Sequence, residues 1–106
     1  MILNLNIDED SFGIEIKPEL LEELRSIHEG MDKEYDEGAQ MGRYWVEKPS
    51  DEQRCQIVAN NIVNSIHREN KRMLYIMSAY IVYKFPGIKS VTTNSDLEMH
   101  EIDIHL

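Results

Sequence analysis

Leu3, Leu5 and Ile7 alternate with Asn4, Asn6 and Asp8, the period of a strand with one face in a core. Asp8-Glu9-Asp10-Ser11 interrupts that pattern as a turn. Ile14 and Ile16 then predict a short second strand or an extended lead-in. Pro18 is suited to the first position of a helix, and Glu19, Glu22 and Glu23 follow at the end of the dipole that favours carboxylates. Leu20, Leu24, Ile27, Met31 and Tyr35 step by four, three, four and four, a single helical stripe. The stripe crosses Gly30, so the helix either runs to about Asp36 with Gly38 as its cap or breaks at Gly30. The first is preferred.

Ser50 with Gln53 three residues later forms a capping box ahead of the stripe Cys55, Val58, Ala59, Ile62 and Ile66. The polar run His67 to Arg72 interrupts it, and Asn70 is placed there as a left-handed terminator. From Met73 to Phe85 apolar residues recur nearly all round, which predicts the most buried helix, and Pro86-Gly87 stops it. Two strands are expected beyond, over 88–93 and 97–105, joined by Asn94-Ser95-Asp96. Leu97 and Met99 are out of phase with Ile102, Ile104 and Leu106, so a bulge is expected near His100.

Together these elements predict one α+β domain over residues 1–106. About three helices pack on a small antiparallel sheet made of the N-terminal strand and a C-terminal hairpin. The edges of such a sheet need protection by charge or by a second copy, and a homodimer is expected.

Composition narrows the function classes. The formal net charge is −9, from 20 acidic and 11 basic residues. Phosphate binding needs clustered Lys and Arg, and the one basic cluster is Arg68, Lys71 and Arg72, so neither nucleic acid nor an anionic membrane is an expected partner. A basic protein partner is compatible with the charge. The single cysteine, Cys55, rules out an internal disulfide. The N-terminal residues read as no signal peptide, and no apolar run approaches bilayer length, so a cytoplasmic location is expected.

Candidate chemistry is sparse. The segment 38–49 reads as a long loop between helices, and such loops are often functional. It holds Arg43, Tyr44 and Trp45, residue types enriched where proteins bind partners or ligands. The competing reading, preferred for a lone Trp, folds Met41, Trp45 and Val46 back over the helix ends as anchors. His28, Asp32 and Asp36 share one helix face and have the chemistry to hold a metal or move protons, but a solvated flank is the simpler account and no metal or cofactor is expected. His100 and His105 would point to opposite faces of a strand, whereas Glu101, Asp103 and His105 would share an exposed one. Cys55 falls on an apolar stripe as a buried thiol. Phosphate-loop, nucleophile-elbow, metalloprotease and paired-cysteine motifs are absent from the sequence.

The reading that follows is a non-enzymatic interaction or regulatory protein working through protein contacts. The alternative is a small-ligand or metal-dependent enzyme with a pocket between the 38–49 loop and the first helix, using His28, Asp32, Arg43, Tyr44 and Trp45. A purely structural subunit is not separable from the first by sequence.

Overall fold

The computed structural model describes residues 1–94 and 98–106. Four strands form the main sheet: β1 (Ile2–Ile7), β2 (Asp10–Glu15), β5 (Ser90–Thr93) and β6 (Asp103–His105), in the order β2-β1-β5-β6. Among the described residues there are four α-helices, α1 (Pro18–Glu23), α2 (Arg25–Asp36), α3 (Asp51–His67) and α4 (Lys71–Lys84), with α3 packed against α4 and β6, and α1 against α4. Between α2 and α3 stands a separate hairpin, β3 (Ala39–Met41) with β4 (Tyr44–Val46). The α+β class holds.

The alternation in β1 does what its period requires. Leu3, Leu5 and Ile7 are buried with Val91 and Ile104 against the helices, in one core with Cys55, Val58, Ile62, Tyr80 and Val82. The opposite face is polar and laced side chain to side chain. Asn6 donates to Thr92 Oγ1 at 3.2 Å and Ser11 donates to Asn6 Oδ1 at 3.0 Å. Ile14 belongs to a true strand, β2, paired antiparallel with β1 and followed at once by the buried Ile16.

The sheet differs from the expected antiparallel one. It is mixed, because β1 runs parallel to β5. A parallel pair needs a long crossover between its strands, and the whole helical layer supplies it. The C-terminal hairpin forms as β5 antiparallel to β6, but its strands are shorter than expected. Met99–Glu101 is a turn of 3₁₀ helix, which explains the phase change expected as a bulge near His100. Ser95, Asp96 and Leu97 of the expected turn and strand lie outside the described residues.

The first helical segment continues through Gly30 to Asp36, and Gly38 follows in a left-handed conformation, φ +112°. Its one irregularity is at Leu24 (φ −92°, ψ 0°), which separates α1 from α2. The buried stripe shifts there by one residue. His28 is fully buried, whereas Ile27 is 43% exposed. The Ser50–Gln53 capping box is present in both directions, at 3.2 and 2.9 Å. Asn70 caps the start of α4 by accepting from the Met73 N–H at 3.2 Å. The left-handed residue that ends α3 is its neighbour Glu69, φ 55°.

Candidate functional site

The segment 38–49 is not a structureless loop. Gln40 pairs with Trp45 and Met41 with Tyr44 across a tight turn at Gly42, whose φ is +62°, a value glycine adopts without strain. Gln40 Nε2 donates to the Gly42 carbonyl at 2.9 Å and braces the turn. Met41, beside the turn, and Pro49, beyond the second strand, are buried and tether the hairpin. Tyr44 and Trp45 remain 66% and 61% exposed, and Arg43 is exposed beside them. The Trp45 indole lies flush with the backbone of Gly38, so that a Cβ there would stand 2.5 Å from Cζ2. The anchor of this segment is therefore Met41. The expectation that Trp45 folds inward does not describe its 61% exposure.

His28 and Asp32 sit elsewhere, on the inner face of α2, where sequence reasoning expected a solvated flank. Asp32 accepts from Tyr80 Oη at 2.6 Å, Lys84 Nζ at 2.8 Å and Arg54 at 3.2 Å. Arg54, itself buried, also donates to Asp36 at 2.7 Å and to the Pro49 carbonyl at 2.8 Å. Lys84 reaches Asp51 at 3.3 Å. These contacts join α2, α3 and α4. Burial alone would raise the Asp32 carboxyl, but the hydrogen bonds from Lys84, Tyr80 and Arg54 outweigh it and hold the group below the ordinary aspartate range. Burial and the adjacent Asp32 carboxylate push the Tyr80 phenol far up, so it stays a protonated donor.

His28 contacts this cluster through its ring. It lies 5.7 Å from Tyr80 in an edge-on arrangement and 5.3 Å from Tyr83. Its Nε2 is 3.1 Å from the Ile76 carbonyl, which assigns the proton to that nitrogen. Its Nδ1, like Ser78 Oγ, is buried with no partner among the described residues. Burial lowers the imidazole below its usual value.

An open cleft of about 580 Å³ lies over the network, lined by Asp32, Asp36, Lys48, Pro49, Ser50, Asp51, Arg54 and Lys84. It occupies the place expected for a pocket between the first helix and the 38–49 segment. Arg43, Tyr44 and Trp45 do not line it. The structure thus separates the sequence candidates into an exposed aromatic hairpin and a buried polar clamp.

Sequence reasoning missed Arg54, Tyr80 and Lys84. Arg54 sits directly before Cys55 in the apolar stripe and Lys84 interrupts an apolar helix, and a cation in either position demands a carboxylate partner. Glu98, His100 and Glu101 form an exposed trio with ligand atoms within 4.8 Å of one another. Glu101 there belongs to the 3₁₀ turn, where it accepts from the Glu98 N–H, not to a strand face shared with Asp103 and His105. Among the described residues no helix is long and apolar enough to cross a membrane. Comparison of the chain with known protein families, with characterised proteins and with solved structures gives no match.

Proposed function

We propose that this protein is a non-enzymatic interaction protein which presents the β3–β4 hairpin to a basic protein partner. One observation carries the reading: Tyr44 and Trp45 are adjacent, largely exposed, and held on a tethered hairpin. Leaving two large aromatic rings in water forgoes the burial that usually makes them core residues, and Tyr, Trp and Arg dominate binding hot spots. The net charge of −9 steers a basic partner toward the surface.

The competing enzymatic reading would use the cleft over Asp32. Its polar groups are committed to one another, Asp32 to three donors and Lys84 to two carboxylates. A general base or nucleophile needs an uncommitted lone pair at the reacting atom. That weighs against catalysis there.

The test is affinity capture from a cell extract with the wild-type chain and with a Tyr44→Ala/Trp45→Ala variant, each at low and high salt. A basic protein retained by the wild type, lost at high salt and lost in the folded variant is expected. The same proteins retained by both chains would remove the hairpin from the account. Trp45, the single tryptophan, then reports any partner directly, since its emission moves to the blue on leaving water.

A further inference from the structure

The sheet has one long free edge. β2 pairs with β1 on its inner side and has no neighbour on the other among the described residues. β6, at the opposite edge, is three residues long. The Ile16 N–H donates to the Met1 carbonyl at 2.7 Å, and this fixes the phase of the β1–β2 ladder. Asp10, Phe12 and Ile14 exchange hydrogen bonds with β1, while Ser11, Gly13 and Glu15 direct their N–H and C=O groups outward. Such a row of unpaired groups is a template for another strand.

The core beneath this edge is incompletely closed. Phe12 and Ile14, opposite Leu5 and Leu3, are only partly buried. With Ile66 and Leu74 they line a groove of about 440 Å³, which also includes the exposed Glu69 and Lys71. An unpaired edge beside an apolar groove is half of a β-augmentation site.

We propose that the other half is a second copy of this chain, joined β2 to β2 in antiparallel fashion about a two-fold axis at Gly13. The register follows from the residues. With Gly13 opposite its own copy, Phe12 faces Ile14 of the partner and Ile14 faces its Phe12, apolar against apolar on the core side. Ser11, whose hydroxyl donates to Asn6, then faces Glu15 with no like charge opposed. Glu9 faces Lys17, an ion pair made twice by the symmetry, and both residues are exposed. Glycine at the axis lets the two backbones approach with no side chain between them.

A two-fold at Glu15 would set two carboxylates face to face, and one at Ser11 would set Asp10 against Phe12. The Gly13 register leaves one unlike pair, Asp10 facing the buried Ile16, and alone among these three it sets Glu9 opposite Lys17. An isologous contact also permits Lys71 of one copy to approach Glu69 of the other along the groove. Neither Tyr44 nor Trp45 lines this groove, so the dimer and the hairpin reading stand or fall separately.

Sedimentation equilibrium of the full chain, from low micromolar to near-millimolar, tests the proposal. The wild type is expected to be a dimer. Gly13→Pro, which removes the N–H on the axis but none that β1 uses, is expected to be a monomer with a cooperative melt. Glu9→Lys and Lys17→Glu should each weaken the dimer by roughly 3–10-fold, and the double variant should restore it. Glu9→Lys lowers the net charge of each chain, so weakening there cannot come from overall repulsion. A wild-type monomer throughout the range overturns the proposal, as does a dimer that survives Gly13→Pro. If that variant fails to fold, the charge reversals decide: rescue in the double variant supports the Gly13 register, and single variants without effect overturn it.

Discussion

Tyr80 donates its phenolic hydrogen to Asp32 at 2.6 Å, and this contact fixes α4 to α2 where Arg54 of α3 and Lys84 also converge. Asp32 is the shared acceptor, with its side chain 18% exposed, whereas Asp36 is 54% exposed and serves Arg54 alone. The two carboxylates therefore differ in what their loss leaves behind. Removing Asp32 leaves the buried Tyr80 phenol without its acceptor and takes one carboxylate each from Arg54 and Lys84, which keep Asp36 and Asp51. Asp32→Ala should cost about 3 kcal/mol. Asp36→Ala should cost less than about 1 kcal/mol, since water replaces an exposed partner. Urea melts of the two variants check the ranking, and equal losses would contradict the shared-acceptor account.

Tyr80→Phe isolates one spoke of the same network. The ring stays in the core and only the hydroxyl leaves, so the loss should be about 1–2 kcal/mol. Combined with Asp32→Ala it should cost nothing further and recover part of that loss, because the hydroxyl is then a buried donor without an acceptor. A double-mutant cycle in urea reads this directly.

What the sequence makes legible here is whatever depends on period and local chemistry. The alternation of β1, the Pro18 start, the Ser50–Gln53 box and the Pro86-Gly87 stop all act over a few residues, and each is where its pattern places it. Contacts between distant segments leave no such trace. The parallel pairing of β1 with β5 joins residues more than 80 positions apart. The burial of His28 depends on a one-residue shift at Leu24 that the stripe through Ile27 does not disclose. Likewise Asp32 reads as a surface carboxylate until Arg54 and Lys84 arrive from other helices. The hairpin at 39–46 carries a turn glycine at Gly42, but strands of three residues are too short for alternation to announce them.

Trp45 and Gly38 form a second coupled pair. Trp45→Ala should cost less than about 1 kcal/mol of global stability, against the 3–5 kcal/mol expected of a core tryptophan. Gly38→Ala should cost more, roughly 1–3 kcal/mol, because its φ of +112° is strained for any side chain and the new Cβ meets the indole at 2.5 Å. In the double variant the collision disappears and only the backbone strain remains, so the costs should be less than additive. Thermal melts of the three variants measure the coupling.

Cys55 is completely buried, and burial pushes its thiol up to about 12. The thiolate is the reactive form, so the native chain should resist an aromatic disulfide reagent at neutral pH. Labelling should appear only through unfolding and accelerate with urea in step with the melt. Rapid labelling of native protein would mean that α3 opens locally.

Two groups give the fold a defined response to acid. His28 is lowered by burial, so just below its ordinary value of 6.5 the unfolded chain binds a proton that the folded chain refuses. The state that binds more protons gains as pH falls, and the folded protein loses stability, by at most about 1.4 kcal/mol per pH unit for one group. Above 6.5 both states are neutral and His28 contributes no slope. Asp32 acts by the same sign at lower pH: its folded value lies below the ordinary 3.8, so its contribution is full above that value and drains away beneath it. Urea midpoints should therefore fall in two windows, one opening near pH 6.5 and one below pH 4. His28→Gln removes the titrating group while keeping a side-chain donor for the Ile76 carbonyl, and it should flatten the upper window alone. A wild-type midpoint constant from pH 7 to 5 would contradict the buried neutral imidazole.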